Sequence, residues 1–247
     1  MNAVVRILLV GSAGRMGQAI VEAAKEVEGI DIVGLCDKDD AIEPAISHSE
    51  VVIDFSQADA ITDICALASR HKTGLVVGTT GHSQAQRADI ECCAASVPVV
   101  LSSNFSVGVN VLFWLTRKAT ELLGPSFDIE VIEMHHRLKK DAPSGTAVTL
   151  AEILKKQRGI EKLRHGREGL VGQRPAGEIG MHAVRGGDTV GDHTVIFAGN
   201  GERLELTHRA TSRQTFAQGA LRAARWVRGR KPGLYSMEDV LGLGGNK

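Results

Sequence analysis

The run Gly11-Ser-Ala-Gly-Arg-Met-Gly17 constrains this chain more than any other stretch. It follows directly on Val4-Val-Arg-Ile-Leu-Leu-Val10, an apolar, β-branched run suited to a buried parallel strand. Helical periodicity comes next, in Ile20, Val21, Ala24 and Val27. A second strand-like run, Ile30 to Cys36, then ends on Asp37. Strand, glycine turn, helix, strand and acid in that order describe a dinucleotide-binding βαβ unit. Gly11 permits the tight turn, Gly14 lets the backbone approach a pyrophosphate, and Gly17 lets the helix pack on the strand. Ala13 stands where the stricter G-x-G-x-x-G pattern has its middle glycine, so the flanking elements carry the reading. The plain alternative is a structural strand–helix turn. Asp37 is placed to bind the adenosine ribose hydroxyls, while Lys38 beside it can pair with a 2′-phosphate. Together they predict use of both NADH and NADPH.

The alternation continues. Strands are expected at 51–55, 74–78 and 97–101, with helices at 58–71 and 84–95. The loops Thr79-Thr-Gly81 and Ser102-Ser-Asn-Phe-Ser106 follow the fourth and fifth strands and fall on the same rim as the glycine turn. That makes them candidate nicotinamide and ribose contacts, although each alone reads as turn chemistry. After Ser106 the pattern changes. A helix is expected over 108–123, followed by strands at 128–134, 179–184, 193–198 and 203–208, the last three antiparallel because no βαβ alternation links them. The basic, glycine-rich segment 159–178 reads as a mobile surface loop. Another helix begins near Ser212, and a short last element covers 237–243. The predicted fold is α/β. A Rossmann-type parallel-sheet dinucleotide-binding domain takes residues 1–107 and 212–247. A smaller α+β domain with a mixed sheet, for substrate binding and oligomerisation, takes 108–211.

The second domain carries the chemistry-bearing stretch Glu133-Met-His-His-Arg-Leu-Lys-Lys-Asp-Ala-Pro-Ser-Gly-Thr146. An apolar strand leads in and a periodic helix leads out, so the reactive side chains sit on a loop between rigid elements. Ser144-Gly145-Thr146 opens the helix with backbone N–H groups suited to a carboxylate or phosphate. His135 is a plausible acid–base group, because its intrinsic pKa lies near neutrality. Lys139 follows four residues on, and a cation there favours the neutral imidazole. Arg213 can clamp a carboxylate. A solvated loop before an N-capped helix is the bland alternative.

Beyond the glycine turn, this stretch closely resembles the signature of the dihydrodipicolinate reductase (4-hydroxy-tetrahydrodipicolinate reductase) family. Gly78-Thr-Thr-Gly81, Asn104-Phe-Ser-Val-Gly108 and Gly201-Glu-Arg-Leu-Glu205 also look like the family, in its order. The resemblance covers nearly the whole chain. It implies reduction by NADH or NADPH of a cyclic dicarboxylate to tetrahydrodipicolinate, in the diaminopimelate branch of lysine synthesis. It implies His135 as catalytic acid–base with Lys139 as partner proton donor. His136, Ser144, Gly145 and Thr146 would bind substrate, with Arg213 as a further anionic contact. Gly11, Ser12, Ala13, Gly14, Arg15, Met16, Asp37, Lys38, Gly78, Thr79, Thr80, Ser102, Ser103, Asn104 and Phe105 would hold the cofactor. It also implies a homotetramer joined through the second domain's sheet. One departure is the short span 38–50, where longer members carry an insertion, so cofactor preference stays open between NADH and NADPH.

Composition narrows the field. With 29 basic and 29 acidic residues the chain has no net charge, which argues against nucleic-acid or membrane-surface binding. The four cysteines form no C-x-x-C pair, so a zinc framework or disulfide scaffold is not expected. No metal is expected at His135-His136, because adjacent histidines without a third ligand at suitable spacing make poor sites. The absence of a signal-type N-terminus and of a spanning apolar run points to the cytoplasm. The rival readings are another nicotinamide-dependent enzyme, acting on aspartate or a 2-imino acid, and a nicotinamide-sensing binding protein.

Overall fold

A computed structural model describes residues 4–244. In chain order the elements begin with β1 (Val5–Val10), α1 (Arg15–Lys25), β2 (Ile30–Cys36), α2 (Ile42–Ile46), β3 (Val51–Asp54) and α3 (Ile61–His71). They continue with β4 (Gly74–Val77), α4 (Gln84–Ala94), β5 (Pro98–Leu101), α5 (Val107–Leu123), β6 (Asp128–His135) and α6 (Gly145–Arg158). Last come β7 (Leu163–His165), β8 (Ile179–Arg185), β9 (Gly191–Ala198), β10 (Arg203–Ala210), α7 (Gln214–Val227), β11 (Gly233–Tyr235) and α8 (Met237–Leu241). The chain divides into two units. One holds the residues up to Val107 and from Arg213 on, and the other holds Gly108–Ser212, so Ser212 falls with the second unit.

The first unit is a six-stranded parallel sheet in the order β11-β5-β4-β3-β1-β2. Its central strands are buried on both faces, as their continuous apolar sequences require. One face packs Ile7, Leu9, Ile53, Val76 and Val100 against Ile20 of α1 and Ala217, Ala220, Leu221 and Ala224 of α7. The other packs Leu8, Val52, Leu75 and Val99 against Ile46, Ile61, Ile64 and Ile90 of α2, α3 and α4. The strand order reverses between β1 and β3, and the carboxyl ends of these two strands form the usual ligand crevice of such sheets. The α/β expectation for this part holds. Two short elements were not expected, α2 and β11. Their five and three residues are too few to show a period.

The second unit is a five-stranded mixed sheet, β10-β9-β6-β8-β7. Here the expected antiparallel run of three last strands is corrected. β9 and β10 pair antiparallel, but β8 lies on the other side of β6 and runs parallel to it. The physical reason is the connection: α6 links β6 to the strands that follow, and a helical crossover returns the chain in the same direction. Alternation puts Ile129, Val131, Val195 and Phe197 on one face, under Leu112 and Phe113 of α5 and Leu150 and Leu154 of α6. The opposite face carries Ile132 and Val184, both more than a third exposed, with Thr194 and Ile196 beside them.

The segment expected to be a mobile loop is instead tied down. It contains β7, which pairs with β8. Arg174 donates to Asp128, Glu130 and the carbonyls of Ile129 and Glu178, and Arg167 donates to Glu130 and Glu178. Burial raises Glu130, but the bonds from Arg167, His182 and Arg174 prevail and pull its carboxyl down to about 2. The charge run therefore works as an ion-pair network around one carboxylate.

Candidate active site

In the first unit the glycine turn fits a dinucleotide on its own geometry. Gly11 has φ +84°, and a Cβ there would fall 2.5 Å from the Phe55 carbonyl oxygen. A Cβ on Gly17 would fall 2.2 Å from the Gly11 carbonyl oxygen. Only glycine lets α1 begin this close to β1. Gly14 is the N-cap of α1 and makes no side-chain cap, so the first-turn N–H groups are left for an anion. A cavity of about 620 Å³ opens at this turn, lined among others by Gly11, Gly14, Asp37, Lys38, Phe55 and Ser56. Asp40, Asp59 and Asp63 complete its acidic side.

Asp37 does more than wait for a ribose. Its carboxylate accepts the Ser12 hydroxyl at 2.7 Å and the Ala13 N–H at 3.0 Å, bracing the turn from the end of β2. Each carboxylate oxygen has two lone pairs, so acceptor capacity remains for a ligand hydroxyl. Arg15 and Lys38 are exposed, and Met16 is half-buried against the core.

The next two loops divide between structure and rim. A Cβ on Gly78 would enter the Phe55 ring, at 2.2 Å. Thr79 is buried, and its hydroxyl finds no partner among the described residues, while Thr80 is exposed. Ser102 Oγ bonds the Asn104 carbonyl at 2.7 Å, and Asn104 Oδ1 accepts the Ser106 N–H at 2.8 Å. Ser103 is exposed. The Phe105 ring is buried edge-on to Phe55, with centroids 5.6 Å apart, so this residue can offer a ligand its backbone only. Arg213 also belongs to this unit, as the N-cap of α7.

In the second unit the site is built at the carboxyl end of β6. Strand alternation puts Glu133 and His135 on the same face, toward α6. Glu133 is wholly buried, and its carboxylate accepts four bonds. His135 Nδ1–H donates at 2.6 Å, the Ser144 N–H at 3.0 Å, and Arg185 Nη1 and Nη2 at 2.8 Å each. Burial raises the Glu133 carboxyl, but the bonds from Arg185, His135 and Ser144 outweigh it and hold it below the usual carboxylate range. Such a group tolerates burial only because every donor is in place; removing one partner of a buried pair typically costs about 3–5 kcal/mol. Burial also pushes His135 below the ordinary imidazole value, opposed by Glu133 and reinforced by Lys139 and Arg185.

Ser144 ties the strand to the helix. Its hydroxyl caps α6 by accepting the Ala147 N–H at 3.2 Å, and it bonds His193 Nε2 at 2.9 Å. The His193 ring stands edge-on to His135, with centroids 5.1 Å apart. Burial, helped by the charge of His135, drives His193 down to about 3, so it is neutral in ordinary buffers. Lys139 pairs with Asp141 at 2.9 Å. His136 donates its N–H to the Thr189 carbonyl at 2.7 Å, and its buried Nδ1 has no partner among the described residues. Gly145 is exposed and Thr146 is buried, in the first turn of α6.

The structure thus brings His135, Ser144 and the start of α6 together around Glu133. Glu133, Arg185 and His193 carried no role in the sequence reading. Their signal was period two: Glu133 shares a strand face with His135, and His193 heads the inward series with Val195 and Phe197.

The residues on both units match known proteins. Family models described as dihydrodipicolinate reductase, N-terminus and C-terminus, match residues 5–105 and 108–241. A 4-hydroxy-tetrahydrodipicolinate reductase of Akkermansia muciniphila is 58% identical over 242 residues, covering 97% of this chain and 98% of that protein. Its counterpart from an Anaeromyxobacter species is 43% identical over 263 residues, covering 97% and 98%. Among solved structures, a dipicolinate-bound dihydrodipicolinate reductase from Paenisporosarcina sp. TG-14 superposes with a TM-score of 0.80 at 25% identity, over 96% of this chain and 99% of that one. A probable dehydrogenase from Thermotoga maritima shares the fold, with a TM-score of 0.64 at 12% identity over 96% and 93%.

Proposed function

The chain belongs to the dihydrodipicolinate reductase family, and from that premise we propose how it works: it is an oxidoreductase that reduces 4-hydroxy-tetrahydrodipicolinate to tetrahydrodipicolinate, adding a hydride and a proton while the 4-hydroxyl leaves as water. A nicotinamide dinucleotide, held at Gly11–Met16, Asp37, Lys38, Gly78–Thr80 and Ser102–Phe105, supplies a hydride when bound. The protein's own task is to seat a cyclic dicarboxylate and to manage one proton. The first turn of α6, at Gly145 and Thr146, receives a substrate carboxylate, since its N–H groups and the helix dipole favour an anion there. His136 Nδ1, which has no partner among the described residues, supports a second polar contact. Arg213 is a candidate carboxylate contact of its own. His135 is the acid–base group and Lys139 the partner proton donor.

The observation that carries this reading is the buried bond from His135 Nδ1 to Glu133, made in the network that also holds Ser144 at the head of α6. It joins a proton-handling ring to an anion-binding helix end. The test mixes the protein with NADH and the product of dihydrodipicolinate synthase and follows cofactor oxidation. Oxidation well above background is expected. A folded sample that binds NADH and gives none would refute the reading.

For the cofactor, Asp37, Asp40, Asp59 and Asp63 line the cavity against one cation, Lys38. Carboxylates disfavour a 2′-phosphate. Both cofactors are accepted in this reading, with NADH preferred. The open sheet face with Ile132, Val184 and Ile196 supports a homotetramer joined there, because an apolar face of that kind is unusual in water. The cytoplasm is its place in this reading, as the site of a small-molecule biosynthetic step.

A further inference from the structure

Glu133 and Arg185 handle no proton in the chemistry assigned so far, yet both bear on the ring that does: Glu133 bonds it, and Arg185 bonds Glu133. Bond directions follow from their donors and acceptors. Arg185 gives Glu133 two N–H bonds and the Ser144 backbone gives a third, so the carboxylate is an ionised acceptor. The proton it shares with His135 then belongs to Nδ1, and Nε2 is the atom that gains or loses a proton. The space at Nε2 is kept by a glycine: a Cβ on Gly191 would fall 3.0 Å from that nitrogen. Arg185 is itself held, because its guanidinium also donates to the carbonyls of Val184 and Asp141.

We propose that Glu133 and Arg185 form a positioning pair for His135: the carboxylate fixes the ring's orientation and tautomer, and the guanidinium stops the carboxylate from taking the ring's proton. The proposal rests on the reading of His135 as the acid–base group. A carboxylate that orients an imidazole and sets its tautomer is a general device of acid–base sites. The added element here is the bidentate arginine, which offsets the carboxylate's pull on the ring.

The charged and titratable groups facing His135 are few. Glu133 comes from its own strand, Arg185 from the end of β8, His193 from β9, and Lys139 with its partner Asp141 from the loop after β6. Glu133 stabilises the imidazolium, while Arg185 and Lys139 destabilise it. Removing the two members of the pair should therefore move the ring in opposite directions. A pair that only supports the fold has no reason to give that sign pattern.

The experiment compares pH profiles of kcat/KM for wild type, Glu133→Gln, Arg185→Met and His135→Ala, with NADH binding as the check on folding. Glu133→Gln should lower kcat by roughly a hundredfold or more, because an amide can present an N–H to Nδ1 and turn the tautomer over. Its His135 limb should move down, and that of Arg185→Met should move up, each by about 1 unit. Limbs that stay put or move together would overturn the proposal while His135→Ala remains inactive. Full turnover in His135→Ala would instead remove the reading beneath it. Should the variants fail to fold, ¹⁵N shifts of the wild-type imidazole decide. Neutral His135 protonated on Nδ1 supports the pair, and protonation on Nε2 refutes it.

Discussion

Ser144 and His193, forty-nine residues apart, share a buried hydrogen bond of 2.9 Å between Oγ and Nε2. Ser144 Oγ also accepts the Ala147 N–H, and a hydroxyl has one proton to give and two lone pairs, so the same oxygen can serve both partners. One hydroxyl thereby caps a helix and supplies His193 Nε2 with its partner, while His193 Nδ1 has none among the described residues. Ser144→Ala should lower unfolding stability by about 1–3 kcal/mol, from the lost cap and an unsatisfied buried nitrogen. Denaturant unfolding measures this, and a loss under about 0.5 kcal/mol would mean that water restores both bonds.

Acid should weaken the second unit in two windows. His193 has a folded pKa of about 3, below its unfolded value of 6.5, so the unfolded chain binds its proton first. Its contribution is whole above 6.5 and falls away as pH drops toward 3, at up to about 1.4 kcal/mol per unit. Glu130, at about 2 against 4.5, contributes above 4.5 and is lost as pH falls toward 2. Unfolding free energy followed from pH 7 downward should already decline above pH 5, and His193→Gln should flatten that first part.

Glu130→Gln should free the segment 166–178 and leave the sheet, β7 included, in place. The carboxylate is the common partner of Arg167, Arg174 and His182. Amide exchange across this segment should quicken severalfold, while β9 keeps its protection. Unchanged exchange would show that β7 pairing alone holds the segment.

Gly14→Ala and Gly17→Ala should separate binding from folding. At Gly17 a Cβ would meet backbone at 2.2 Å, so α1 must shift and stability falls by about 1–3 kcal/mol. At Gly14 the nearest atom would be the Gly11 carbonyl oxygen at 3.3 Å, so a shift of only a few tenths of an ångström is asked of the turn. A Gly14→Ala protein should melt near wild type yet bind NADH at least about tenfold more weakly, because the methyl occupies the pyrophosphate approach. Equal NADH affinity would remove Gly14 from the cofactor's path.

The loop after β6 and the glycine turn are legible because the residues that shape them are close in sequence. Gly11 to Gly17 are neighbours in sequence as well as in space, and Asp37 follows at a fixed spacing. Glu133 beside His135 was within reach of strand alternation, but its importance comes from Arg185, fifty-two residues away. The same limit applied to β8. Its own sequence fits a strand in either direction, and only the crossover through α6 makes it parallel. The segment 159–178 looked loose because its apolar content is low, whereas its order comes from charge pairs with Asp128 and Glu130 on a distant strand. Long-range partners of single polar residues leave no periodicity to read.

The position of α7 and β11 has a consequence for how the chain is made on a ribosome. Ala217, Ala220, Leu221 and Ala224 cover one face of the first sheet, and β11 pairs with β5 at its edge. All of them are synthesised after the whole of 108–212. During translation the β1–β5 region is therefore without the α7 cover over Ile7, Leu9, Ile53, Val76 and Val100 and lacks its last strand, while the contiguous second unit has all its residues first. The first unit, begun before the second, is completed after it, and its uncovered interval ends only when α7 and β11 have left the tunnel.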